Sequence, residues 1–394
     1  MNDRLRCFCE LADLAGSAGF LRTTRRHLHQ HPELSFQEAR TAELVAGNLK
    51  EWGWEVATGV GGHGVVGTLR NGQGARAIAL RADMDALPIT ELTGKPWAST
   101  VSGAMHACGH DGHTTMLLGA AQHLAATRNF SGTVHVVFQP AEEAGKDSGA
   151  QRMIEDGLFE RFPCDAIFGI HNHPGVAAGT FGFGTGAFMS ASDTAKITVR
   201  GRGGHAARPH LSVDPILIAG SLIMALQSVV SRNIDPTQTA IVTIGTVHAG
   251  KAANVIPESA TLELSIRSFD ADVRERLEHR IRALVTAQVE SYGGEVTIEY
   301  DRGYPVLVNT SAETEFACEV AQELVGTERV IAPFPPVTGS EDFAYFLQRK
   351  PGCFLRLGNG EGAMVHNAHY DFNDEILTLG AAYWTRLVER YLPA

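Results

Sequence analysis

Three short apolar runs restrict the fold of this chain more than anything else in it. They are A-I-A-L-R-A at 77–82, T-V-H-V-V-F-Q at 133–139 and D-A-I-F-G-I at 165–170. Runs of this length and composition read as buried strands, and the helical stretches between them give an alternating β/α order. Each run ends in side chains of one chemical kind. D-M-D-A-L-P follows the first, P-A-E-E-A-G follows the second, and His171 closes the third. Asp83 and Asp85 share a face at the carboxyl end of their strand, and Glu142 and Glu143 emerge at the end of theirs. Ligand sites in open α/β sheets lie at such ends. Random polar placement would not put these residues at corresponding points of the pattern.

Between the first two strands lies M-H-A-C-G-H-D-G-H, residues 105–113. It gathers His106, Cys108, His110, Asp111 and His113, and thiolate, imidazole and carboxylate are the side chains that bind transition metals. Two residues apart in an extended segment, Cys108 and His110 point the same way and can reach one ion. The next stretch, T-T-M-L-L-G-A-A-Q-H-L-A-A, reads as a buried helix. His106 or His113 alone would be an ordinary polar-loop histidine. The alternating His27, His29 and His31 read as surface or hydrogen-bonding groups. Ser35, with Glu38 three residues on, reads as the N-cap of a helix. His366, in M-V-H-N-A-H-Y-D-F-N-D-E, is one more metal-type residue in a loop.

The pattern changes near residue 190. A strand at 193–200 precedes a helix at 214–230, with Asp214 as N-cap and Pro215 at its first position. Strands at 239–247 and 260–268, an Asp270-capped helix to Tyr292 and a strand at 295–300 complete the order βαββαβ. That is the ferredoxin-like split unit, and it reads as an inserted α+β domain spanning 189–302. Residues 1–188 and 303–394 then form one α/β domain, a mixed sheet flanked by helices. Its second segment holds a helix at 311–325, a Pro-rich loop, a capped helix start at T-G-S-E-D-F-A-Y-F-L, a short strand F-L-R-L and a last helix at 376–391.

At 394 residues, 44% apolar and 20% charged, the chain has the composition of an ordinary globular protein. Its net charge of −11 argues against nucleic acid or an anionic membrane as main partner. No run approaches the ~20 apolar residues that span a bilayer, and M-N-D-R-L-R-C-F-C-E lacks the apolar core of an export signal. The cysteines at 7, 9, 108, 164, 318 and 353 are scattered, as free thiols of a reducing cytoplasm would be. Cys7 and Cys9 read as incidental.

Taken together, R-R-H-L-H-Q-H-P-E-L-S, R-A-D-M-D-A-L-P, M-H-A-C-G-H-D-G-H, Q-P-A-E-E, G-I-H-N-H-P, G-R-G-G-H-A-A-R-P-H, A-N-V-I-P, G-S-E-D-F-A-Y-F and H-Y-D-F-N-D-E carry a family resemblance. The chain resembles the metal-dependent amidohydrolases of the aminoacylase and carboxypeptidase superfamily. Within it, the chain is most similar to the branch of hippurate hydrolases, N-acyl-amino-acid amidohydrolases and indole-acetyl-amino-acid hydrolases. The resemblance implies a metallopeptidase-like catalytic domain and an inserted domain that makes a homodimer interface. It implies two divalent metal ions held by Cys108, His110, Glu143, His171 and His366, with Glu142 as general base and Asp85 as its supporting partner. Zn, Mn, Co and Ni all suit such donors. Asp83 stands where the wider superfamily has a metal-binding His, so its part in the site is open, and the Cys–x–His pair supplies the ligation instead.

The chemistry implied is hydrolysis of the amide of a small N-acyl amino acid. Glu142 takes a proton from water and hands it to the leaving amine. The resemblance suggests His205, in G-G-H-A-A, as oxyanion donor from a partner subunit; by its residues alone it is equally a loop histidine on a Gly-rich turn. Asn254 and Arg267 are candidates for the substrate carboxylate, for which guanidinium is well shaped. Arg267 could otherwise serve a surface ion pair. A dipeptidase or carboxypeptidase is the competing enzymatic reading. A binding protein without turnover is the non-enzymatic one, and the presence of both Glu142 and Glu143 speaks against it.

Overall fold

The short strand-and-helix alternation of the amino-terminal half becomes one large mixed sheet. The computed structural model describes residues 16–394, so Cys7, Cys9 and the reading of the N-terminus lie outside the described residues. The chain divides into two units. The larger comprises the chain up to Gly186 together with Val308–Pro335 and Asp342–Ala394, and the smaller comprises Ala187–Leu307 and Pro336–Glu341.

In the larger unit, α1 (Ala18–Gln30) and α2 (Ala39–Glu51) precede the hairpin β1 (Glu55–Val60) and β2 (Gly64–Asn71). Then come β3 (Ala77–Asp83), α3 (His110–Thr127), β4 (Gly132–Gln139), α4 (Gly149–Glu155), β5 (Ala166–Pro174) and β6 (Phe181–Gly182). The β3, β4 and β5 strands pair parallel, with β3 between the other two. All are buried nearly throughout, as runs without polar alternation must be when helices cover both faces. Thirteen of the eighteen residues of α3 are buried, so the helix is covered nearly all round rather than along one stripe. His171 lies within β5, three residues before its end, not at the last position.

The smaller unit is built from β7 (Ala191–Arg200), the two-residue β8 (Gly204–His205), α5 (Pro215–Asn233), β9 (Ala240–Ala249), β10 (Val255–Ile256), β11 (Ser259–Ser268), α6 (Ala271–Ser291) and β12 (Glu295–Arg302). Its sheet order is β9-β11-β7-β12, all antiparallel. That is the ferredoxin-like order, with the β8–β10 ribbon added. Asp214 and Asp270 cap the helices, each accepting two backbone N–H bonds. The Pro-rich loop returns part of the later chain to this unit. Ser190 donates its backbone N–H to Gly339 and its hydroxyl to Thr338, which is why 336–341 belongs with a unit the sequence places at 189–302.

The count of apolar runs misses one helix. Helix α5 is long and apolar enough to cross a membrane by length and composition. Ser221, Gln227 and Ser228 interrupt the run and hide it from a simple count. Its Ile218, Leu222, Leu226 and Val229 are buried in the core of the smaller unit.

The chain returns to the larger unit with α7 (Ser311–Val325), β13 (Val330–Ile331), α8 (Phe343–Leu347), β14 (Gly352–Gly360) and α9 (Leu377–Tyr391). The full sheet runs β1-β2-β4-β3-β5-β14-β6-β13. Helices α1 and α9 pack on α3. The start of α8 has no side-chain cap bond from Asp342, the residue before it, whose carboxylate accepts from Arg81, Gln139 and the Ala150 N–H.

Candidate metal centre

Cys108 and His110 are brought to one place by a glycine. Gly109 has φ +97° and is the N-cap of α3, with His110 as the first helical residue. The pair therefore sits on a left-handed turn and not in an extended segment, correcting the sequence reading. A Cβ at Gly109 would lie 2.3 Å from Asn172 Nδ2 and 2.5 Å from Tyr370 Oη, so nothing larger fits.

The Cys108 sulfur then faces two sets of donors. Cys108, His110 and His171 place one ligand atom each within 4.8 Å of one another, and so do Cys108, Glu143 and His366. His110, Glu142 and Glu143 form an overlapping group on the same limit. Cys108 Sγ is 3.3 Å from His171 Nε2, and His366 Nε2 is 3.0 Å from Glu143 Oε1.

His110 and His171 each have one ring nitrogen engaged away from the sulfur. His110 Nδ1 donates to the Asp85 carbonyl at 2.8 Å, and His171 Nδ1 donates to the Asn172 carbonyl at 2.7 Å. Both present Nε2 to the cluster, the tautomer a metal ligand needs. His110 Nε2 is buried and has no hydrogen-bond partner among the described residues. An orphaned nitrogen beside a thiol and carboxylates fits a cation. Burial, with His113 and Arg356 nearby, holds His171 well below the usual histidine value, so its ring is neutral. Burial opposes a charge on His110, yet Asp83 and Cys108 hold its pKa well above the usual value. Burial also pushes the Cys108 thiol up. Loading such a site would release protons from both.

Glu142 and Glu143 start a short 3-10 turn, which lets adjacent side chains reach one cluster. The Asp85 carboxylate accepts the Glu142 N–H on Oδ1 and the Glu143 N–H on Oδ2, each at 3.0 Å. His366 sits at φ +64°, held by its N–H to the Ala107 carbonyl at 2.7 Å.

The rest of the 105–113 cluster has other work. Asp111 bonds Arg25 and His29. His113 donates Nδ1–H to Asp83 at 2.6 Å and accepts the Asn172 N–H on Nε2 at 3.0 Å, which uses both nitrogens. His106 is buried and belongs to none of the donor groups.

The pattern of peptidase family M20/M25/M40 matches residues 79–390. The chain belongs to this family. It is 44% identical over 383 residues to a hippurate hydrolase of Campylobacter jejuni, covering 97% of this chain and 98% of that one. It is 41% identical to an N-acetyl-L-cysteine deacetylase of Bacillus subtilis, covering 91% and 85%. A solved Bacillus subtilis structure, described as a dinuclear metal-binding peptidase of family M20, superposes with a TM-score of 0.83 at 33% identity, covering 96% of this chain and 99% of that one.

Within this M20 chain, Asp83 has a definite place. Arg81 Nη1 donates to Asp83 at 2.6 Å while its Nε reaches Gln139 and its Nη2 reaches Asp342. Asp83 in turn orients His113, which fixes the backbone beside His171. Burial opposes the charge on Asp83, but His110, Arg81 and His113 hold its carboxyl well below the usual range. Sequence reasoning left Arg81, Asn172, Tyr370 and Asp342 without roles. Asn172 Nδ2 donates to the Cys108 carbonyl at 2.6 Å and its Oδ1 accepts from Tyr370 at 2.7 Å. The signal for Arg81 was a charge inside an apolar strand, which must be paired.

In the smaller unit, His205 and Asn254 meet on the β8–β10 ribbon, where Val255 pairs with His205 and the Ala206 N–H bonds the Asn254 carbonyl at 3.1 Å. His205 Nδ1 accepts the Ala207 N–H, so Nε2 carries the proton and is free to donate. Arg267 lies half-buried one residue before the end of β11, paired with Ile241 and Ser192, and not on that ribbon. Burial lowers its pKa and Asp193 offsets part of this.

Proposed function

We propose that this M20 chain is a metal-dependent amidohydrolase that cleaves N-acyl amino acids of the hippurate class to a carboxylic acid and a free amino acid. The observation carrying the reading is the sharing of Cys108 by two donor groups with Glu142 in the same cluster. The hippurate hydrolase and deacetylase relatives support the substrate class. Cys108, His110, His171, Glu143 and His366 would hold two divalent ions, Mn or Zn before Co or Ni. When bound, such ions lower the pKa of water from ~16 to near 7 and polarise the scissile carbonyl.

The chain's residues do the rest. Glu142, 5% exposed, takes the proton from the attacking water and delivers it to the amine nitrogen as the C–N bond breaks. Asp85 keeps that glutamate's backbone in place. His205 Nε2–H of a partner subunit donates to the tetrahedral oxygen, and Asn254 and Arg267 receive the substrate carboxylate. Exposed Ile216, Leu217 and Met224 on α5 and Val247 on the edge strand β9 support a homodimer formed through the smaller unit. The described cysteines are all free, and a thiol among the metal donors suits the cytoplasm.

The test is a panel of N-acyl amino acids and unblocked dipeptides, run on apo-protein reloaded with Mn, Zn, Co or Ni. Faster turnover of N-benzoylglycine and its relatives is expected. A preference for unblocked dipeptides would give the dipeptidase reading, and no turnover with any metal would give the binding reading.

A further inference from the structure

Ser35 and Glu38 have the spacing of a helix-capping box, but the helix does not use them that way. Helix α2 starts at Ala39, and neither Ser35 nor Glu38 makes a side-chain cap bond to it. Glu33 does that work: its carboxylate accepts the N–H groups of Arg40 and Thr41, at 3.2 and 2.8 Å. Glu38 is released to turn inward. It is fully buried, and its Oε1 accepts the N–H of Phe36 at 2.9 Å and of Ala141 at 2.8 Å. Ser35 donates its hydroxyl to Asp85 Oδ2 at 2.7 Å.

Ala141 is the residue before the two glutamates. It is buried and lies at φ +50°, ψ +47°, the left-handed region that residues with a Cβ rarely occupy. Such a conformation persists where its surroundings over-determine it. Here three consecutive N–H groups, of Ala141, Glu142 and Glu143, each meet a carboxylate: one from Glu38, two from Asp85. The Ala141 carbonyl is also held, by the Gly149 N–H at 3.0 Å. The turn at Ala141 sets the direction in which both glutamates leave β4.

We propose that Glu38 is a positioning residue for the general base: its carboxyl clamps the left-handed turn at Ala141 and so aims Glu142 at the reacting water. This rests on the reading of Glu142 as the base. Burial and the Asp85 charge raise Glu38 to about 7. Oε1 accepts whether or not Oε2, which has no hydrogen-bond partner among the described residues, carries a proton. An amide therefore reproduces the clamp, while an apolar side chain of similar length removes it.

The experiment compares Glu38→Gln, Glu38→Met and Glu142→Gln in the metal-loaded enzyme, reading kcat and KM on N-benzoylglycine, metal content and amide hydrogen exchange of the 140–144 segment. Glu38→Gln is expected to keep kcat within about threefold. Glu38→Met is expected to lose ~10- to 100-fold in kcat, the scale of a small misplacement of a reacting group. Rates are compared at metal concentrations that load both proteins fully, because Glu143 leaves the same turn; KM should then stay near wild type, and exchange should quicken at 140–144 alone. Wild-type kcat in Glu38→Met, or equal loss in Glu38→Gln, would overturn the proposal. If Glu38→Met fails to fold, Glu38→Asp, which withdraws the acceptor from Ala141, is read by the same criteria. If Glu142→Gln proves fully active, the base assignment itself fails; unchanged exchange at 140–144 in Glu38→Met would then overturn the clamp as well.

Discussion

Cys108 Sγ and His171 Nε2 lie 3.3 Å apart, and the same sulfur also belongs to the group formed with Glu143 and His366. A shared donor couples the two halves of the centre. Cys108→Ala should therefore lose metal from both halves together, and activity with it. The fold should persist, because the extended apolar core of the larger unit does not include Cys108 itself. Elemental analysis of the variant, beside circular dichroism, checks this, and full metal content would contradict it.

The buried Arg25, His29 and Asp111 give a pH dependence of stability. His29 Nδ1 is 2.8 Å from Asp111 and Nε2 is 3.3 Å from Glu91. Burial and Arg25 oppose a charge on His29, yet the hydrogen bonds to Asp111 and Glu91 raise it from 6.5 to about 9. A pKa raised in the folded state gives stability that is complete below the unfolded value and lost as pH climbs through the folded one. The wild-type melting temperature should thus fall between pH 6.5 and about 9 more steeply than that of His29→Gln. Parallel curves for the two proteins would count against a charged His29.

Action of His205 in a partner's site is tested by complementation. A mixture of His205→Ala and Glu142→Ala proteins forms some hybrid dimers in which one site has both groups. After subunit exchange is shown, activity of the mixture should exceed the sum of the two parents. No recovery would restrict His205 to its own subunit or to no catalytic part.

The elements that hold the centre were legible where the code is local. Strands β3, β4 and β5 are continuous apolar runs, and Asp214 and Asp270 cap helices whose first N–H groups lie two and three residues on. Local patterns misled where a better partner came from outside them. Ser35 and Glu38 match a capping box, but the helix starts later, at Ala39, where Glu33 accepts the Arg40 and Thr41 N–H groups, and Ser35 and Glu38 turn to Asp85 and Ala141 instead. Asp83 could not be placed from the sequence because its orientation depends on Arg81, itself pinned by Asp342, 261 residues away. The turn joining Cys108 to His110 likewise depends on Asn172 and Tyr370, which leave no room for a side chain at Gly109. Side-chain networks of this kind join distant segments, and only the packed chain reveals which segments meet.

The division of labour between Glu142 and Glu143 is tested most directly by metal titration and steady-state rates on their Gln variants. Glutamine matches glutamate in shape but cannot carry a proton at neutral pH. Glu142→Gln should hold its full metal content and bind substrate while turnover falls by ~2 to 4 powers of ten. Glu143→Gln should bind metal more weakly and regain activity in excess metal. A metal-rescuable Glu142→Gln beside a metal-replete, inactive Glu143→Gln would contradict this assignment, and wild-type behaviour in both would remove the two glutamates from the chemistry.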